Sequence, residues 1–314
     1  MYRVTLTSGG HNVSLRFQIA VKIARVQVNC RYASKLGETA IAAAIEKIQL
    51  PGVEHIIAVA SGKGGVGKST VAANLALALK AEGYSVGLLD ADIYGPSQST
   101  MMGAAGVRPE VQGDQLQPVM AHGIQCMSMG FVASEKTPAV WRGPMASGAL
   151  QQLLTQTNWQ DLNMLIVDMP PGTGDIQLTL AQRVPLSGAV IVTTPQDIAL
   201  LDARKGIEMF SKVNIPTLGI IENMSTHVCS ECGHEEAIFG SGGGESIAVE
   251  YGTRVLAQLP LSLAVRELSD SGNPIVAAEP DSEIALALRA AARTIATSVQ
   301  NSTPDGPTIN VLDD

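Results

Sequence analysis

Residues 62–69 read Gly-Lys-Gly-Gly-Val-Gly-Lys-Ser, which satisfies the pattern G-x-x-x-x-G-K-[ST]. An apolar run, His55-Ile-Ile-Ala-Val-Ala60, leads into this loop, and Ser69-Thr-Val-Ala-Ala-Asn-Leu-Ala-Leu-Ala-Leu79 leads out of it. The loop therefore joins a buried strand to a helix. That junction commits the chain to an α/β layout.

The glycines let successive backbone N–H groups close around an anion, and the following helix directs the positive end of its dipole at the same point. Lys68 is placed to reach the β- and γ-phosphates of a nucleotide, and the Ser69 hydroxyl to ligate Mg²⁺. The expected nucleotide-binding loop is thus Gly62, Lys63, Gly64, Gly65, Val66, Gly67, Lys68, Ser69 and Thr70. Lys63 is surplus to this scheme. Gly62, Gly64 and Gly67 also satisfy G-x-G-x-x-G, with Asp90 and Asp92 near the offset of a Rossmann ribose-binding acid. Lys68 and Ser69 argue against that reading, because a dinucleotide loop has no mechanical need for an ammonium and a hydroxyl after its last glycine.

From Ile56 onward short apolar runs alternate with helix-period segments, the pattern of a parallel sheet with crossover helices. Strands are expected at 56–60, 85–90, 124–129, 164–168, 189–193, 217–222 and 255–259, and helices at 69–82, 144–156, 198–213 and 282–299. The fold class is α/β: a P-loop NTPase fold with a mostly parallel twisted sheet of about 7–8 strands and helices on both faces. Residues 51–300 would form this domain. Residues 1–50 read as a short or diverged N-terminal segment, with strand hints at Val13–Phe17 and Ala24–Val28 and a helix hint at 38–48. Residues 301–314 read as a flexible tail.

At a net charge of −8 and a pI near 5.2, the composition disfavours a nucleic-acid partner held by phosphate neutralisation. No run of about 18 apolar residues is present, and Lys22 and Arg25 interrupt the one greasy N-terminal stretch. A cytoplasmic protein without stable membrane association is expected. Four cysteines, Cys30, Cys126, Cys229 and Cys232, are too few for a disulfide scaffold.

Three further motifs carry chemistry. Asn163-Met-Leu-Ile-Val-Asp168 is an apolar strand ending in a carboxylate suited to Mg²⁺, and Pro170-Pro-Gly-Thr-Gly174 after it reads as a γ-phosphate-sensing loop. Asp90 and Asp92 end the strand after the P-loop helix and would project to one side if that strand ran through both, one for Mg²⁺ and one to orient water. Cys229 and Cys232 form Cys-x-x-Cys, with His227 and His234 close by. Two thiols are half a metal site. Zinc using both histidines, a redox dithiol, or a symmetric dimer giving two thiolates from each chain would each complete it.

The surplus Lys63 resembles the deviant P-loop of partition ATPases and nitrogenase reductase. Asp90-Ala-Asp-Ile-Tyr-Gly-Pro-Ser97, Trp141-Arg-Gly-Pro-Met145, Asp168-Met-Pro-Pro-Gly-Thr-Gly-Asp175, Thr194-Pro-Gln-Asp197, Glu222-Asn-Met-Ser225, Cys229-x-x-Cys232 and Phe239-Gly together resemble the Mrp/ApbC iron-sulfur cluster carriers over roughly residues 51–295. Ser262 stands where that family often has an acid.

The resemblance implies an ATPase and a homodimer. Lys63 would reach the partner's nucleotide, with Lys63, Lys68 and Asp92 catalytic, and Ser69, Asp92 and Asp168 around Mg²⁺. Asn223 would contact adenine, and Cys229 and Cys232 would share a [4Fe-4S] cluster with the same pair of the second subunit. ATP binding and hydrolysis would switch the dimer, and the partners would be cluster donors and apoprotein recipients. Two alternatives stand beside this reading. A partition-type membrane-cycling ATPase would use a basic last helix, and an electron-transfer ATPase would need a second cluster cysteine, for which Cys126 is the nearest candidate.

Overall fold

A computed structural model describes residues 2–8, 11–17, 47–132, 143–229 and 231–301. The strand expected at 24–28, the helix expected at 38–48 as far as residue 46, Cys30, Trp141-Arg142 and the tail from 302 lie outside the described residues. Strands β1 (Tyr2–Ser8) and β2 (His11–Phe17) pair as an antiparallel hairpin, in a unit separate from the larger body. The Val13–Phe17 hint falls within β2.

The body runs β3 (Val53–Ala60), α1 (Lys68–Ala81), β4 (Val86–Asp90), α2 (Gln98–Met101), a minimal hairpin of β5 (Val111–Gln112) and β6 (Gln115–Leu116), β7 (Val119–Ala121), β8 (Ile124–Ser128), α3 (Met129–Val132) and α4 (Gly143–Gln156). It continues through β9 (Leu162–Asp168), α5 (Asp175–Arg183), β10 (Gly188–Thr193), α6 (Asp197–Lys212), β11 (Thr217–Val228), β12 (Glu235–Glu236), α7 (Gly243–Glu250), β13 (Val255–Leu261), α8 (Leu263–Asp270), α9 (Ile275–Ala278) and α10 (Glu283–Gln300).

One sheet takes the order β12-β11-β10-β3-β9-β4-β8-β7, with β13 pairing along β11. Seven strands are mutually parallel, and only the short β7 and β12 run antiparallel. Each strand expected from Ile56 onward is present. Every residue of β4 and β10 is buried, as strands covered on both faces require. Helix α1 is apolar around most of its circumference because it lies between the sheet and α10.

Strand order reverses between the P-loop strand β3 and its neighbours: β3 sits between β9 and β10, and β4 lies one strand further out. The loops after β3, β4, β9 and β11 open at the same carboxyl edge. This edge is where a doubly wound sheet places its ligands.

Candidate nucleotide site and cysteine hairpin

The P-loop folds as the glycines dictate. Gly65 and Gly67 have φ of 83° and 84°, in the left-handed region, and Gly67 caps the start of α1. A Cβ at Gly62 would collide with the Asp202 carbonyl of α6, so the loop's first glycine is required by packing. Ser61 Oγ donates to the Lys63 carbonyl at 2.8 Å, and the Val66 side chain is buried in the core.

Lys63, Gly64, Gly65, Gly67, Lys68, Ser69 and Thr70 line one cavity of about 220 Å³ with Asp92, Ser97 and Pro171. Among the described residues no carboxylate pairs with Lys63. Lys68 is buried and its Nζ forms an ion pair with Asp168 Oδ1, while also donating to Ser69 Oγ at 3.2 Å. Asp168 therefore stands behind Lys68 and does not line the cavity wall. Gly172 N donates to the Ser61 carbonyl at 2.9 Å, which moors the loop after β9 to the P-loop.

Asp90 and Asp92 are not an equivalent pair, contrary to the expectation of a strand running through both. β4 ends at Asp90, whose carboxylate is wholly buried and accepts from the N–H groups of Asp92, Ser97 and Gln98 and from Ser128 Oγ, at 2.9 to 3.1 Å. Asp90 fixes the loop, and Asp92 is the acid left facing the cavity. Burial first, then the Asp168 charge, pushes the Asp90 carboxyl up from its ordinary 3.8 to about 7.

Gln98, one residue past the motif that ends at Ser97, is a site residue that sequence reasoning misses. Its buried Nε2 donates to the Ser69 carbonyl at 2.9 Å and to Asp168 Oδ2 at 2.8 Å, tying P-loop to β9. A glutamine at that position carries no sequence signal of such a role.

A second cavity of about 450 Å³ shares Gly67, Thr70 and Met101 with the first. Its walls come from Asn223, Met224 and His227 on β11, from the Pro260–Leu263 turn and from one face of α8. Asn223 Nδ2 donates to the Val66 carbonyl at 2.9 Å, so β11 and the P-loop are joined directly. Ser269 Oγ on α8 is buried without a hydrogen-bond partner. Ser262 caps α8, accepting from Val265 N at 3.4 Å, a task an acid at that position would also perform. A smaller cavity that Lys63, Lys68, Ser69 and Asp92 line, beside a larger, mainly apolar one, matches the two halves of a nucleotide. Ser69 Oγ and Asp92 supply the hard oxygen donors that Mg²⁺ prefers in the first of these.

Cys229 and Cys232 occupy the tight turn between β11 and β12. Cys229 N donates to the His234 carbonyl and Gly233 N to the Cys229 carbonyl, each at 2.9 Å. Cys229 is half-buried and Cys232 exposed. N–H groups of Cys232, then Glu231, point at the Cys229 sulfur and lower its pKa. The turn is not a helix N-terminus, where redox Cys-x-x-Cys motifs sit. Among the described residues no three His, Cys, Asp or Glu side chains converge on one point, so His227 and His234 do not complete a zinc site within this chain. Cys126 is buried, and desolvation pushes its thiol up to about 12.

Fold and loops together define a P-loop nucleotide-binding protein carrying an accessible cysteine pair. The family model described as NUBPL iron-transfer P-loop NTPase (ParA) matches residues 52–296, and the chain belongs to that family. An iron-sulfur cluster carrier protein of Pseudomonas fragi is 59% identical over 271 residues, 85% of this chain and 91% of that protein. The mouse iron-sulfur cluster transfer protein NUBPL is 54% identical over 76% of this chain and 75% of its own length. Among solved structures, a nucleotide-binding protein of Archaeoglobus fulgidus in complex with ADP is 35% identical, with a TM-score of 0.65 over 74% of this chain and 90% of that one. The cell-division ATPase MinD of Pyrococcus furiosus, 22% identical with a TM-score of 0.57 over 77% of this chain and 98% of that one, shares the fold.

Proposed function

We propose that this protein is an ATP-dependent carrier that holds a labile [4Fe-4S] cluster as cargo between two copies of the chain and passes it to apoproteins. The cysteine hairpin carries this reading. It presents two thiols, one with a lowered pKa, at an accessible tip, with no third ligand beside them among the described residues. A [4Fe-4S] cluster takes four thiolates, and a two-fold axis through the tip would supply them. The names of the relatives support the same cargo.

Lys63, which pairs with no carboxylate among the described residues, favours a partner across the nucleotide site. It stands beside Gly62, which abuts α6, and α6 exposes Ile198 and Leu201 by 69% and 56%. An apolar face beside a free ammonium fits cover by a second copy, with Lys63 directed at that copy's phosphates. Lys68 would exchange Asp168 for the β- and γ-phosphates. Ser69 and Asp92, with Asp168 behind them, would hold Mg²⁺, which when bound neutralises charge on the phosphate oxygens. Asp92 is the one acid on the cavity wall and would orient the attacking water. The Pro171-Gly172 loop, moored at Ser61, would respond to the γ-phosphate, so that hydrolysis gates the dimer.

Specific contacts disfavour the other readings. Arg289 and Arg293, the basic residues of the last helix, both pair with Glu82, at 2.8 and 2.9 Å, and so are committed within the fold. Cys126 is too buried to serve as a second cluster ligand.

Anaerobic reconstitution tests the proposal. Wild type should take up roughly four iron per dimer with visible thiolate-to-iron absorption. The Cys229→Ser, Cys232→Ser variant should hold none and lose any cluster-dependent gain in dimer mass. Equal iron in the variant, or zinc alone in wild type, would sink the carrier reading.

A further inference from the structure

One strand serves two sites. Asn223 and His227 of β11 line the 450 Å³ cavity beside the P-loop, and Cys229 lies two residues beyond His227. At about 3.3 Å per residue, the cluster thiol is rooted roughly 7 Å along the backbone from a residue on the cavity wall.

The strand is anchored firmly at one end of this stretch and lightly at the other. Asn223 donates to the P-loop at Val66, and Ser225 Oγ donates to the Leu259 carbonyl at 3.0 Å. Between them Met224 adopts φ of 57°, a left-handed conformation unfavourable for a methionine. The ladder to β13 then jumps from Asn223↔Leu259 to His227↔Leu261, so four steps on β11 oppose two on β13. A bulge of this kind re-aims the chain beyond it. Past the bulge the cysteine turn hangs on two pairs, His227↔Glu236 and Val228↔Glu235, and on the bond from Cys229 N to the His234 carbonyl. His227 is therefore the point at which the cavity wall and the base of the hairpin coincide.

We propose that His227 couples nucleoside occupancy to the geometry of the cluster thiols. Its side chain meets the nucleoside, and its backbone sets the orientation of the turn that carries Cys229. His227 is a positioning residue. The proposal rests on the nucleotide and cluster readings above and adds a direction to them: the nucleoside end, common to ADP and ATP, reaches the thiols through β11 of the same chain, without the γ-phosphate.

The test uses the full-length, iron-free, reduced protein and follows iodoacetamide alkylation at Cys229 and Cys232 by peptide mass mapping. Saturating ADP should by itself change the Cys229 rate by about fivefold or more, and saturating ATP by at least as much. His227→Ala should lose that response while its calorimetric ADP dissociation constant rises less than about tenfold. His227→Gln, which keeps polarity and reach, should retain the response, and His227→Leu serves in place of alanine if that variant does not fold. Bound ADP with unchanged thiol rates, a response to ATP alone, or a full response in His227→Ala or His227→Leu overturns the coupling. If wild type binds no nucleotide, the nucleotide reading fails with it. If the thiols respond but reconstitution loads no iron, the cargo reading fails alone.

Discussion

Asp90 and Asp168 lie directly opposite each other at the carboxyl ends of the adjacent parallel strands β4 and β9, and one ammonium, Lys68, serves the pair by bonding to Asp168. Both carboxyls are fully buried. The buried strand ends thus set two acids against one base. That imbalance governs how the nucleotide-free protein responds to pH and to the loss of Lys68.

The raised Asp90 carboxyl makes stability depend on pH. A carboxyl at about 7 in the fold, against 3.8 ordinarily, holds its proton more tightly folded than unfolded. Its contribution is fully present below 3.8 and is lost as pH rises through about 7. Urea denaturation of nucleotide-free wild type should show stability falling between about pH 4 and about pH 7, and levelling off above that, relative to Asp90→Asn, which cannot ionise. Parallel curves for the two proteins would show that Asp90 does not titrate in this window.

The two P-loop lysines should separate cleanly. Lys68→Ala strands a buried carboxylate and should cost about 3–5 kcal/mol of apo stability along with nucleotide affinity. Lys63→Ala removes a side chain with no carboxylate partner among the described residues and should leave stability within about 0.5 kcal/mol of wild type. It should still lower ATP turnover by at least about tenfold, if Lys63 acts on a partner's phosphates. Chemical denaturation and a phosphate-release assay read both, and a stable Lys68→Ala protein would contradict the buried-pair account.

Gly67→Ala tests the cradle itself. The position has φ of 84°, and a Cβ there would collide with Asn223 Nδ2, which bonds to Val66. ADP affinity should fall by more than about tenfold, with stability lowered by about 1–3 kcal/mol. Unchanged calorimetric affinity would mean that the Asn223 contact is dispensable.

The Cys229 thiol should ionise early. Because the N–H groups of Cys232 and Glu231 stabilise its thiolate, the pH profile of its alkylation in apo protein should have a midpoint below 9.0. Buried Cys126, held up near 12, should remain unmodified in the native state. A Cys229 midpoint at or above 9.0 would show that the turn does not form in solution.

Much of the site is legible in the residues alone. The P-loop, Asp92, Asp168, Asn223 and the cysteine pair each sit in a motif whose spacing is local, and the continuous apolar runs locate all seven parallel strands. The short helices α5, α7 and α8 escape such a reading. Each has only eight or nine residues, and α5 and α7 open directly from glycine-rich turns that look like loop. The distinction between Asp90 and Asp92 is also illegible, because alternation along a strand says nothing about where the strand stops.

The sequence by itself determined the parallel sheet, the phosphate loop and the close spacing of Cys229 and Cys232, since each rests on periodicity or on residues within a few positions of one another. Only the tertiary structure decided that Lys68 answers Asp168 a hundred residues away, that Gln98 braces both, and that α8 closes the larger cavity. It also showed that one bulged strand carries Asn223 and leads directly into Cys229. Such contacts are set by how the sheet stacks its strands and how helices cover its edges, and those distances are written in packing, not in spacing along the chain.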